Sequence, residues 1–295
     1  MNNESVFTYD LLDWIVEEKL HMKWLSMNPS GIQFLERNVS IIDWKDLSRN
    51  ENAIHLLEKY PEKIMWRELS GNPSAISLLE KNQHKINWKK LSGNPNAIVL
   101  LEENFDCINW SYLSTNLNAM HLLEKNLEKI DWYNLSVNTS AIQLLEKNLD
   151  KIDWGCLSFN PNAIDFLEKN LEKINWEHLC QNPCAVKLLE KYPEKIHWCW
   201  LSMIPDAIDI LEKNPEKIRW GLLECNTNAM HLLEKNVEIL NWSVLSSNPS
   251  IFTKKINYAF LRKRMSLIRE ELIMKSMHPS RLERFLEMGG NIDDF

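Results

Sequence analysis

Glycine is scarce in this chain, with seven among 295 residues. Glycine-rich phosphate loops are absent, and so are an H-E-x-x-H pair and a nucleophile motif. No run of about 18 apolar residues occurs, so no membrane-spanning helix is expected. The start, MNNESVFTYDLLDW, lacks a basic region followed by an apolar stretch, and a cleaved secretory signal is not expected. The six cysteines (Cys107, Cys156, Cys180, Cys184, Cys199 and Cys225) contain no C-x-x-C pair. They read as reduced thiols in an intracellular compartment rather than as a disulfide or zinc framework. Positive charge is also short over most of the chain. Residues 1–250 hold 25 Lys and Arg against 35 Asp and Glu. A body that is acidic by ten charges is not built to neutralise phosphates along its length.

What the chain has in excess is tryptophan, 13 in all. Ten of them, from Trp44 to Trp242, are spaced by 22 residues without a slip. Met22 holds the same register one unit earlier. The unit reads W-x-x-L-S-x-N-P-x-A-I-x-L-L-E-K-N-x-E-K-I-x. A fixed period of this size is the mark of a solenoid, in which each supersecondary unit stacks on the next.

Each unit reads as two short helices. In residues 86–104, Asn87 is placed to cap a helix that starts at Trp88. Asn94 is placed to cap a second helix, with Pro95 at its first position. Ala97, Ile98, Leu100 and Leu101 give that second helix an apolar arc of about 160°. Asn104, repeated at Asn126, Asn148, Asn170, Asn214 and Asn236, suits a left-handed stop. Pro61 and Pro193 supply the stop elsewhere. Helices this short are not stable alone, so stacking must hold them, with each tryptophan buried between units. A leucine-rich-repeat-like solenoid shares the period. It is disfavoured because Leu47, three residues beyond Trp44, would fall on the opposite face of a strand.

The fold class expected is all-α: an elongated α-solenoid of about ten 22-residue helix–turn–helix repeats with N- and C-terminal capping helices. Its parts are an N-terminal capping helix in 1–21, on the pattern SVFTYDLLDWIVEEKL, a repeat array in 22–250, and a basic C-terminal helical cap and tail in 251–295. Within the last part a helix is expected over 256–276. A shorter one follows His278-Pro279, and the ending NIDDF is acidic.

The repeat unit W-x-x-L-S-x-N-P-x-A-I-x-L-L-E-K-N resembles tandem repeats in largely uncharacterised proteins of giant double-stranded DNA viruses of amoebae. The ending M-x-H-P-S-R-L-E-R-F-L-E-M-G-G-N-I-D-D-F resembles a C-terminal element of the same group. The resemblance implies a viral origin, in the virion or the host cytoplasm. It implies no activity.

Candidate sites follow from what varies. The units serve as copies of one another, and the two positions after each tryptophan differ freely among them. This row is the expected partner face, with Tyr112, Tyr133, Phe159, His178 and Trp200 as its aromatic middle. The opposing reading has the second of these positions tucked under the neighbouring unit. Lys254, Lys255, Arg262, Lys263 and Arg264 form a basic cluster in the tail. It is either a solvated helix face or a docking element for an acidic partner or nucleic acid. His55, His121 and His231 share one register but lie three and five units apart, too far for one metal ion. No catalytic residue, metal or cofactor is expected. Two functions stand: a non-catalytic scaffold for a protein partner or another copy of the chain, and a nucleic-acid-associated protein acting through its tail.

Overall fold

A computed structural model describes residues 6–276 and 278–288. The acidic ending, 291–295, lies outside the described residues. The chain divides into two compact bodies. One is Leu11–Phe252, the repeat body. The other combines Met1–Asp10 with Thr253–Phe295.

The repeat body is an α-solenoid of short helices, as the periodicity predicts. Each unit opens with a helix of one to one and a half turns at its tryptophan, such as Trp88–Ser92. Asn87 starts it by accepting the backbone N–H of Lys90 at 3.0 Å. A second helix follows, such as Ile98–Glu103, and then a 3₁₀ turn, Phe105–Cys107. An extended pair of residues leads into the next tryptophan. The leucine three residues after each tryptophan, from Leu47 to Leu245, is completely buried, and so is the alanine that precedes the second helix in the units from Ala53 to Ala229. These apolar columns are continuous from unit to unit because the sequence supplies the same side chain every 22 residues.

Polar columns run beside them. The serine at the end of each first helix bonds back to its own tryptophan carbonyl, as Ser92 does to Trp88 O at 2.8 Å. Its oxygen also accepts the backbone N–H that starts the next unit, here Asn109 N at 2.9 Å. The asparagine that follows is buried in nearly every unit. Asn116 Nδ2 donates to Ser92 O at 3.0 Å and Asn94 O at 2.8 Å, both in the preceding unit. Its Oδ1 accepts Asn118 N at 3.0 Å and so caps the following turn. One side chain thus caps the turn that leads into the second helix and joins two units. The ladder has three departures. Ile204 stands where an asparagine is expected, and Cys180 and Glu224 stand where serines are expected. Cys180 Sγ still receives His197 N at 3.1 Å, and Glu224 Oε1 receives Asn241 N at 2.5 Å.

The array is not open. Asn28, in the first unit, donates to Ser246 O at 3.0 Å and Asn248 O at 2.9 Å, in the last. His21 N donates to Ser246 Oγ at 2.8 Å. Lys19 lies over the Trp242 ring at 5.2 Å, the contact Lys85 makes with Trp66 and Lys217 with Trp198. Each contact matches one made between consecutive interior units. The last unit is therefore the predecessor of the first, and the repeat body closes on itself. Ladder positions run from Asn28 to Asn248 in steps of 22, eleven units in all. A full turn shared among them is about 33° per unit. The elongated array expected from the sequence is corrected by this closure.

Three further expectations are corrected. Residues 7–11 form a strand, β1 (Phe7–Leu11), instead of part of a capping helix, and among the described residues before His21 only Glu17–Lys19 has helical character, as a 3₁₀ turn. β1 pairs with β2 (Phe252–Ile256), and Asn257 N donates to Val6 O at 2.8 Å. The stop asparagines are not left-handed: Asn104 has φ −125°, and its Nδ2 instead donates to Leu100 O at 2.9 Å, closing the helix through its side chain. The tryptophans at the 22-residue register are half-buried instead of buried. Their outer edges are covered in several units by the lysine of the next E-K-I segment, as Lys129 covers Trp110 at 4.6 Å. The second body carries the helix expected near 256–276, as Tyr258–Ser276, and then Pro279–Glu287, capped by His278.

Candidate binding face

First helices of successive units, such as Trp132–Val137 and Trp154–Ser158, pack directly on one another. Second helices of neighbouring units have little backbone contact. In a closed array the row with the closer spacing follows the shorter circumference. The first helices therefore form the concave side, and the variable positions after each tryptophan sit on it.

The two variable positions behave differently. The first is exposed or half-exposed in every unit. The second turns toward the preceding unit: Asp46, Glu68 and Cys156 are buried there, and Lys90, Tyr112, Asn134, His178 and Trp200 are half-buried. Several second-position side chains find a partner one unit back. Tyr112 lies under Lys89, whose Nζ is 5.1 Å from the ring centre. Asn134 Nδ2 donates to Ser111 Oγ at 2.8 Å. His178 Nδ1 donates to Gly155 O at 2.9 Å, and its ring stacks on Phe159 at 4.2 Å. Trp200 Nε1 donates to Glu177 Oε1 at 3.3 Å. Of the five aromatic candidates, the structure brings Phe159 and His178 together. It leaves Tyr133 as the most open, 62% exposed. The Tyr133 hydroxyl is hydrogen-bonded to Cys156, which raises its pKa, and burial pushes the Cys156 thiol up.

Reading the first variable position down the column uncovers a charge pattern that a unit-by-unit reading missed. Lys23, Lys45, Arg67 and Lys89 fill it in the first four units, and all four are exposed. The next seven units have Ser111, Tyr133, Gly155, Glu177, Cys199, Gly221 and Ser243 there. The carboxylates nearest to this arc are already engaged. Asp43 Oδ1 caps its helix by accepting Lys45 N and Asp46 N, both at 3.0 Å. Arg49 Nη1 is 3.0 Å from Asp46 Oδ1, and its Nη2 is 2.7 Å from Glu68 Oε2 in the next unit. Burial works to raise the Glu68 pKa. The hydrogen bond and charge of Arg49, with Lys90 and Arg67 behind it, outweigh burial and hold it below the usual value.

Elsewhere, His55, His121 and His231 each meet a glutamate of the preceding unit. The distances are 2.6 Å to Glu36, 2.9 Å to Glu102 and 2.6 Å to Glu212. In the second body, Lys254 lies over Phe7 at 3.7 Å and Lys255 is 3.6 Å from Asp10, so two of the basic-tail residues are engaged locally. Arg262, Lys263 and Arg264 are exposed on Tyr258–Ser276. No helix among the described residues is long and apolar enough to cross a membrane.

Fold and face together define a closed α-solenoid repeat protein. Comparison with family models, with curated proteins and with solved structures gives no match.

Proposed function

We propose that the chain is a non-catalytic scaffold that holds a protein partner on the concave row of first helices. The observation that carries this reading is the contrast between columns. The leucine, alanine and asparagine columns barely change and are buried, whereas the position after each tryptophan changes freely and is open to solvent. Concave faces of this kind are the binding surfaces of stacked repeats in general. Exposed Tyr133 is the side chain on which an apolar contact would centre. The likeness of the repeat to giant-virus proteins supports a place in the virion or the host cytoplasm.

A second reading rests on the tail, whose exposed Arg262, Lys263 and Arg264 suit an acidic partner or nucleic acid. Two double variants separate the readings. Tyr112→Ala with Tyr133→Ala is expected to abolish partner capture from infected cells while the circular dichroism spectrum is kept. Arg262→Glu with Arg264→Glu is expected to leave capture intact. Loss in the second pair alone would move the function to the tail.

A further inference from the structure

We propose that the basic arc of the first four units binds an acidic peptide segment in an extended conformation. The inference rests on the scaffold reading of the concave row and names the chemistry of what that row holds.

Three observations carry it. First, Lys23, Lys45, Arg67 and Lys89 occupy one register of four adjacent first helices, exposed and without an ion pair among the described residues. Second, Arg49 ties both carboxylates of the second position, Asp46 and Glu68, into the wall. The Asp46–Arg49–Glu68 cluster carries one net negative charge against the four cations, so the arc stays positive in a body that is otherwise acidic. Were the four cations a solvating surface only, nothing would require their anionic neighbours to be withdrawn and clasped. Third, the column changes character after the fourth unit, so the field is local.

Spacing favours a peptide over a nucleic acid. Packed helices repeat at about 8–10 Å. A polyproline-II peptide has three residues per turn and rises about 3.1 Å per residue, so every third side chain recurs on one side at about 9 Å. An acidic segment with a carboxylate at every third position would set one charge opposite each of the four cations. Such a segment is about ten residues long. A nucleic-acid strand carries a charge at every nucleotide, about 3.4 Å apart along a duplex axis. It would run past the arc onto units that offer Glu177 and an acidic surround.

The test is selection and titration on the full chain. A phage-displayed random dodecapeptide library is panned against the wild type and against a Lys45→Glu, Arg67→Glu, Lys89→Glu variant, with circular dichroism confirming that both are folded. Wild type is expected to enrich peptides bearing Asp or Glu at every third position. The triple variant is expected to bind the same synthetic peptides at least about tenfold more weakly. Binding to wild type should weaken with added salt. Enrichment of neutral, apolar peptides that lose affinity with Tyr133→Ala would overturn the acidic partner and leave the scaffold face standing. Peptides bound equally by wild type, triple variant and Tyr133→Ala would overturn both. Tighter binding of a single-stranded oligothymidylate than of any selected peptide, lost in the triple variant, would make the arc a nucleic-acid site and overturn the proposal. If the triple variant does not fold, Lys45→Gln with Lys89→Gln replaces it, and the same peptides are expected to lose affinity by about threefold or more.

Discussion

Replacing Asn28 by alanine tests whether the first and last units are joined. In an open solenoid Asn28 would sit on a free end, and its amide would have no preceding unit to meet. In the closed body it makes the same three bonds as an interior asparagine: to Ser246 O at 3.0 Å, to Asn248 O at 2.9 Å, and from Ser30 N at 2.9 Å. A typical protein hydrogen bond contributes about 1 kcal/mol net, so the three together are worth about 3 kcal/mol. Asn28 is fully buried, and its loss also leaves two carbonyls of the seam without their donor. The expected destabilisation is therefore about 3 kcal/mol, with the strained packing of a small cavity adding a little. Asn116→Ala, in the middle of the array, is the internal standard, because Asn116 bonds in the same way to Ser92 O, Asn94 O and Asn118 N. Urea denaturation followed by tryptophan fluorescence reads both. Equal losses in the two variants are expected. A wild-type midpoint for Asn28→Ala beside a clear loss for Asn116→Ala would refute closure.

Arg49→Ala is expected to cost about 3 kcal/mol, since it strands the buried carboxylates of Asp46 and Glu68. Because the folded protein holds Glu68 below its ordinary pKa, that stabilisation is full above the ordinary value and lost as pH falls through the folded one. The acid-sensitive part of the wild-type denaturation profile should shrink in Arg49→Ala, and an unchanged profile would count against the clasp. Glu224 has the opposite sign. Burial raises its pKa, with the bond from Asn241 N working against the shift. Its contribution is therefore fully present below the ordinary carboxylate value and lost as pH rises through the folded one. Glu224→Gln should stabilise the protein at pH 7.5, and that advantage should fade near pH 4. A stabilisation that grows on acidification would contradict this account.

The local structure was legible because the sequence repeats its own signals. Asn87 caps its helix as its position predicts, and the leucine and alanine columns fall inside, whereas Asn94 caps the turn at residues 95–97 and the second helix begins only at Ile98. Closure was not legible. It depends on a small rotation at each seam, set by the difference in packing between the first and second helix rows, and no single unit records the sum. The segment 7–11 was misread for a related reason. FTYDL is compatible with a helix, but its partner, FTKKI, lies at the other end of the array, and the pairing between them decides for a strand. The half-burial of the tryptophans was missed because the outer edge of the ring meets a lysine of the next unit, as Trp110 meets Lys129, instead of apolar side chains. The site was legible only in part. Free variation after each tryptophan was plain in the sequence. That the second variable position pairs backward, as Trp200 does with Glu177 and His178 with Gly155, needed the seam geometry. The cation arc was present in the letters all along, but only along the column.

Closure also changes how such a gene could grow or shrink. An open stack can gain a 22-residue copy by unequal recombination and simply become longer. Here a twelfth copy would require every seam to relax from about 33° to 30°, or would leave the Asn28 amide without its acceptors. A lost copy would force the reverse. Copy number is thus a property of the whole molecule, so drift is confined to substitution within units. Departures such as Cys180, Ile204 and Glu224 can accumulate inside a fixed count.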